Sequence, residues 1–156
     1  MFLTDGDTDT LSQLRDNVER NKAVGGNDET KGGLSSSTVS CHQLLWGREN
    51  ALQFAKCHCD DNGKGSLFDV IMGSDLVYVP GVIQPLFETV KTLLDREPNN
   101  NKSTMFLLAH CRRPREQGSS VTMEMVLEAG EQAGFSYELV EEEDDISLLV
   151  FRWKEK

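Results

Sequence analysis

The order of apolar segments predicts an α/β fold built on a mostly parallel sheet and closed by a C-terminal antiparallel hairpin. Short apolar runs of strand length, Phe2–Asp5, Phe68–Ser74 and Met105–Ala109 among them, alternate with longer segments whose apolar residues recur at helical spacing. The last two runs, Tyr137–Val140 and Ile146–Trp153, are separated only by an acidic stretch, which suits a hairpin. Polar or aromatic residues also follow three apolar runs directly: Asp5, Trp46 and Asp75. In folds of this class the carboxyl ends of strands face the ligand crevice, so these three outline a site.

The elements follow in order. After Phe2–Asp5, Thr10-Leu11-Ser12-Gln13 has capping-box spacing, and Leu11, Leu14 and Val18 share one helical face until Gly25-Gly26 ends the helix. Residues 25–37 are rich in glycine, serine and charge, bury too little to repay their ordering entropy, and are expected to form a mobile loop. Thr38–Leu44 reads as a strand, Ala51–Cys57 as a short helix and Asp60–Ser66 as a second polar loop before the core strand from Phe68. Pro80-Gly81 breaks the chain. Ile83, Leu86, Phe87, Val90, Leu93 and Leu94 then mark the apolar stripe of a helix ending near Glu97-Pro98. Met105–Ala109 reads as a buried strand, Val121–Ala133 as a helix stopped by Gly134, and the run Glu141–Asp145 as a solvated hairpin loop.

A chain of 156 residues fits one domain, taken here as residues 1–156, with no internal repeat. Its formal net charge of −10 argues against a nucleic-acid backbone or an anionic membrane as partner, and favours a basic, lysine-bearing one. There is no run of 18 apolar residues and no charged segment followed by an apolar signal core. The expectation is a soluble monomer of the cytoplasm, with the nucleus also open to it. Cys41, Cys57, Cys59 and Cys111 lie beside His42, His58 and His110, but Cys57-His58-Cys59 lacks the spacing that aims two ligands at one ion. Reduced thiols and no metal are expected.

The strand-end residues each have a chemistry and an ordinary alternative. An ionised carboxylate at Asp5 offers two acceptor oxygens to the hydroxyl pair of a ribose, while Asp5-Gly6-Asp7 also reads as a turn. The indole of Trp46 offers a flat surface for a base to stack on, or closes the edge of the core. Tyr78 is either a ring at the site or a core-facing aromatic, and His110 either a substrate-side group or a capping one.

Leu3-Thr4-Asp5, Asn17-Val18 with Asn21, Leu45-Trp46-Gly47, and Asp75-Leu76-Val77-Tyr78 followed by Pro85-Leu86-Phe87 occur here in that order. The series resembles the seven-strand S-adenosylmethionine-dependent methyltransferases, specifically the family 16 (methyltransferase-like 21 type) protein-lysine methyltransferases, over nearly the whole chain. The resemblance implies a Rossmann-like fold, S-adenosylmethionine as cofactor and a protein substrate bearing a lysine. It assigns Asp5, Trp46 and Ser74 to the cofactor, and Asp75 and Tyr78 to the meeting point of lysine and methyl group. Members of that family carry a first strand and a glycine-rich loop of the E-x-G-x-G type before the strand matched by Phe2–Asp5, whereas Met1 directly precedes it here. The expectation is therefore an N-terminally truncated member, lacking that strand and loop and binding the cofactor poorly by itself. Two other readings stand beside an active protein-lysine methyltransferase: a non-catalytic remnant or interaction module of the same fold, and a small-molecule methyltransferase.

Overall fold

The computed structural model describes residues 1–24, 39–58, 68–94, 104–112 and 120–154. The loops expected at 25–37 and at Asp60–Ser66 lie outside the described residues. The chain divides into two compact units, Met1–Leu45 and Trp46–Lys156.

In the N-terminal unit, β1 (Phe2–Asp5) pairs in parallel with β2 (Ser40–Gln43), Phe2 opposite Ser40 and Asp5 opposite Gln43. The helix α1 (Thr8–Val24) packs on both strands and buries Leu11. It begins earlier than the capping-box spacing predicts. Asp7, not Thr10, is the cap: its Oδ1 accepts the Thr10 N–H at 2.8 Å, and its carbonyl accepts the Leu11 N–H at 3.1 Å. Hydrogen bonds from the backbone and side chain of Thr10 hold the Asp7 carboxyl below the usual carboxylate range. The Asn21 amide donates to the Asn17 carbonyl one turn back, at 2.8 Å.

The second unit contains α2 (Arg48–His58), β3 (Val70–Ser74), a 3₁₀ turn (Pro80–Val82), α3 (Ile83–Leu93), β4 (Met105–Cys111), α4 (Met123–Ala133), β5 (Phe135–Glu143) and β6 (Ile146–Trp153). Its four strands form a sheet in the order β3-β4-β6-β5. The pair β3–β4 is parallel while β6 is antiparallel to both its neighbours, so β6 alone runs against the other three. The architecture is α/β, with the antiparallel hairpin at its C-terminal end.

The α3 stripe is buried as its spacing predicts: Ile83, Leu86, Phe87, Val90, Leu93 and Leu94 all lie in the core. Phe87 stands at its centre, edge-on to Phe106 of β4 at 6.0 Å and to Phe151 of β6 at 5.1 Å between ring centroids. Pro85 sits in the first turn of α3, where its missing N–H leaves no intrahelical bond unmade. The helix stops at Leu93, short of Glu97-Pro98. Leu94 turns extended to bridge Phe68, whose N–H bonds the Leu93 carbonyl at 2.9 Å.

The hairpin also departs from its expected bounds. The acidic residues Glu141–Glu143 belong to β5, paired with Leu148, Ser147 and Ile146, and only Asp144–Asp145 turn, with Asp144 at a φ of 51°. β5 is an edge strand, with a register shift between Leu139 and Glu141. Charge and a bulge on an edge discourage pairing with another chain, which is why an acidic stretch is compatible with a strand there.

Helix α4 reaches the sheet through Gly130. A Cβ built there would lie 2.5 Å from Phe151 Cε1 and 3.2 Å from Phe87 Cε1, both rings held in the core. Overpacking of this kind costs about 1–3 kcal/mol, against a helix-propensity gain of about 1 kcal/mol for alanine over glycine. Gly130→Leu, which adds far more volume than alanine, is expected to lower the thermal midpoint clearly in circular dichroism melts. An unchanged midpoint would show that α4 does not sit this close.

Candidate active site

Asp75 is the sharpest feature of the second unit. It follows Ser74, the last residue of β3, and takes a φ of 52°, a left-handed conformation uncommon for any residue but glycine. Its N–H donates to the Ala109 carbonyl of β4 at 2.9 Å, extending the parallel ladder one step past Ser74, which pairs with Ala109. Aspartate tolerates this conformation better than most residues, though holding it still costs free energy that the surrounding contacts must supply. Leu76 then folds back over Gly73, while Val77 enters the core. Tyr78 is 52% exposed, so the core-facing alternative for its ring does not hold. Ser74 and Asp75 are exposed as well.

Trp46 lies beyond the end of β2, two residues before α2 begins. Its indole is half-buried and packs against the core of the second unit, so the core-edge reading of this residue is realised. Its neighbour Gly47 caps α2 at a φ of 121°, which a side chain would strain; its carbonyl accepts the Ala51 N–H at 3.0 Å. The Gly47 N–H donates to Thr89 Oγ1 at 2.7 Å, and the same hydroxyl donates to the Pro85 carbonyl at 2.9 Å. Thr89, buried on α3, thus ties the backbone beside Trp46 to that helix. It escapes sequence reading because its role is polar, although its place between Leu86 and Val90 on the apolar stripe marks it.

In the N-terminal unit, Asp5 ends β1 and its Oδ1 accepts the Asp7 N–H at 2.8 Å. The turn reading of Asp5-Gly6-Asp7 is therefore realised. A carboxylate accepts about four hydrogen bonds, so one turn bond does not exhaust it.

His110 is placed differently from expectation. β4 continues through Cys111, and the alternation Phe106, Leu108, His110 turns the imidazole to the buried side, where it is 3% exposed. It is neither a cap nor a solvent-facing group. Burial pushes it below its ordinary value of 6.5, the Asp75 carboxylate draws it upward, and Arg112 pushes it down. A lowered value means that the unfolded chain binds the proton first on acidification. Stability from the neutral, buried ring is then intact above pH 6.5 and is lost as pH falls through the lower folded value. Urea titrations at stepped pH are expected to show this decline, and His110→Gln to flatten it.

Around His110 stand Ser147, its partner on β6, and the exposed ion pair of Arg112 with Glu142 at 3.1 Å. Ser147 Oγ donates to the same Glu142 oxygen at 3.5 Å. Among the described residues no group of three or more His, Cys, Asp or Glu could hold a metal ion, and Cys41, Cys57 and Cys111 are free thiols. No helix among them is long and apolar enough to cross a membrane.

Comparison with curated proteins gives no significant match. The family model described as lysine methyltransferase matches residues 1–129, a span that includes β1, Trp46, the β3 terminus with Asp75 and Tyr78, and His110. By that match the chain belongs to the lysine methyltransferase family.

Proposed function

We propose that the protein transfers a methyl group from S-adenosylmethionine to the side-chain nitrogen of a lysine in a protein substrate. Within a lysine methyltransferase, the observation that carries this reading is Asp75: a carboxylate at a strand end, in a left-handed conformation, followed three residues later by an exposed tyrosine. A net charge of −10 favours approach of a basic segment over a phosphate backbone.

The donor types suit the cofactor's nucleoside. The Asp5 carboxylate is assigned to the ribose hydroxyls, the half-buried Trp46 indole to adenine stacking and the Ser74 hydroxyl to the cofactor side of the β3 terminus. When bound, the cofactor supplies an electrophilic methyl group on a sulfonium.

The chain's own task is alignment. The lysine nitrogen must be neutral and in line with the methyl carbon. A carboxylate beside it raises the amine pKa, so Asp75 is assigned to orienting the nitrogen and not to activating it. The product is again a cation, which the exposed face of Tyr78 can hold by a cation–π contact worth about 1 kcal/mol.

Incubating the intact protein with methyl-labelled S-adenosylmethionine and, separately, protein and metabolite fractions of a cell extract tests the substrate class. Label in the protein fraction is expected. Label confined to the metabolites would make this a small-molecule enzyme.

A further inference from the structure

We propose that His110 is a positioning residue for Asp75: a buried imidazole on the neighbouring strand that sets the carboxylate for the substrate nitrogen and, once protonated, takes that carboxylate for itself. The inference rests on the reading of Asp75 as the residue that meets the lysine.

Register places the two residues together. Ser74 is paired with Ala109, the Asp75 N–H is bonded to the Ala109 carbonyl at 2.9 Å, and His110 is the next residue of β4. His110 lies in the strand that carries the core residues Phe106 and Leu108, so the ring has a fixed seat. Asp75 is held at a φ of 52° on the adjacent strand end. A ring seated in the core one register step from the end of β3 is placed to limit where the carboxylate that follows β3 can point. The Asp75 carboxylate favours the protonated ring and so draws His110 upward, against the larger effect of burial.

The charge state of the ring decides what Asp75 can do. A neutral imidazole orients a carboxylate without cancelling its charge, leaving that charge to act on an incoming ammonium or amine. An imidazolium is a competing cation inside the protein, and the carboxylate it engages no longer attracts the substrate. The other charged groups of this region are Arg112, which disfavours the imidazolium, Glu142, paired with Arg112 and accepting from Ser147, and Glu124, whose carboxyl Arg112 helps to hold low. The imidazole of His110 is thus the part of the cluster whose charge changes as pH falls below its ordinary value of 6.5.

The test follows the imidazole signals of the three histidines by NMR across pH, in the wild type and in Asp75→Asn, with His110→Gln to assign the signal. Asparagine tolerates the left-handed conformation, so the exposed Asp75 site should keep its fold. Removing the carboxylate is expected to move the His110 titration to lower pH while those of His42 and His58 stay in place. In methyl-transfer assays, the ratio of the wild-type KM for the lysine substrate to that of His110→Gln, in which the ionisation of the lysine itself cancels, is expected to rise by up to about tenfold per pH unit below the wild-type His110 titration. A role in packing alone would not produce that dependence. A His110 titration indifferent to Asp75→Asn, a ring that stays neutral until the protein unfolds in acid, or a KM ratio between wild type and His110→Gln that does not change with pH overturns the proposal. The NMR arm reads the pair without catalysis, so failure to methylate lysine counts against the proposed function and not against the coupling.

Discussion

Replacing Asp75 by alanine is expected to lower kcat for methyl transfer about 100-fold or more, with cofactor affinity nearly unchanged. Misplacing the reacting nitrogen by about 1 Å costs on that order, because methyl transfer depends on alignment more than on any single strong contact. The backbone complicates the reading of this variant. At a φ of 52°, alanine is more strained than aspartate, so part of its effect comes from the shape of the chain. Asp75→Asn separates the two causes, since it keeps tolerance of this conformation and loses the charge. Equal loss of turnover in both variants assigns the effect to the carboxylate. An active asparagine variant beside an inactive alanine variant would assign it to the turn.

Trp46→Ala is expected to act through binding. Stacking of a base on an aromatic ring contributes about 1–3 kcal/mol, so affinity for S-adenosylhomocysteine should fall by roughly ten- to a hundredfold in a calorimetric titration. The indole also packs on the core, so the alanine variant should melt earlier too. Trp46→Phe keeps most of the apolar contact and a smaller π face, and its affinity should fall between wild type and alanine. Unchanged affinity in a folded Trp46→Ala would leave the residue as a core-edge aromatic only.

The places of Asp75 and Trp46 after apolar runs are legible in the sequence, because such runs show in the order of the residues. The same holds for the α3 stripe, though not for the end of that helix, and for Ile146–Trp153, a strand with the bounds expected of it, because both are fixed by burial with a clear period. What could not be read depends on hydrogen bonds and neighbours in space. Asp7 caps α1 through its own carboxylate, and Thr89 reaches Gly47 across 42 residues of sequence. Leu94 leaves its helix for a bridge to Phe68. Glu141–Glu143 look like loop residues by charge and form a strand because an edge leaves their side chains in water. His110 was misjudged by one period: carrying the alternation of Phe106 and Leu108 one step further would have placed it inside.

Transfer of a methyl group to a lysine nitrogen at the end of β3 underlies every role proposed for these residues. Its most direct test is mass spectrometry of protein substrates methylated in vitro by the intact protein and by Asp75→Asn, with the modified atom assigned by fragmentation. Methyl groups are expected on lysine Nζ with the wild type, and near loss of them with Asp75→Asn. Methylation at another atom, or the same lysine methylated equally by both proteins, would contradict those roles.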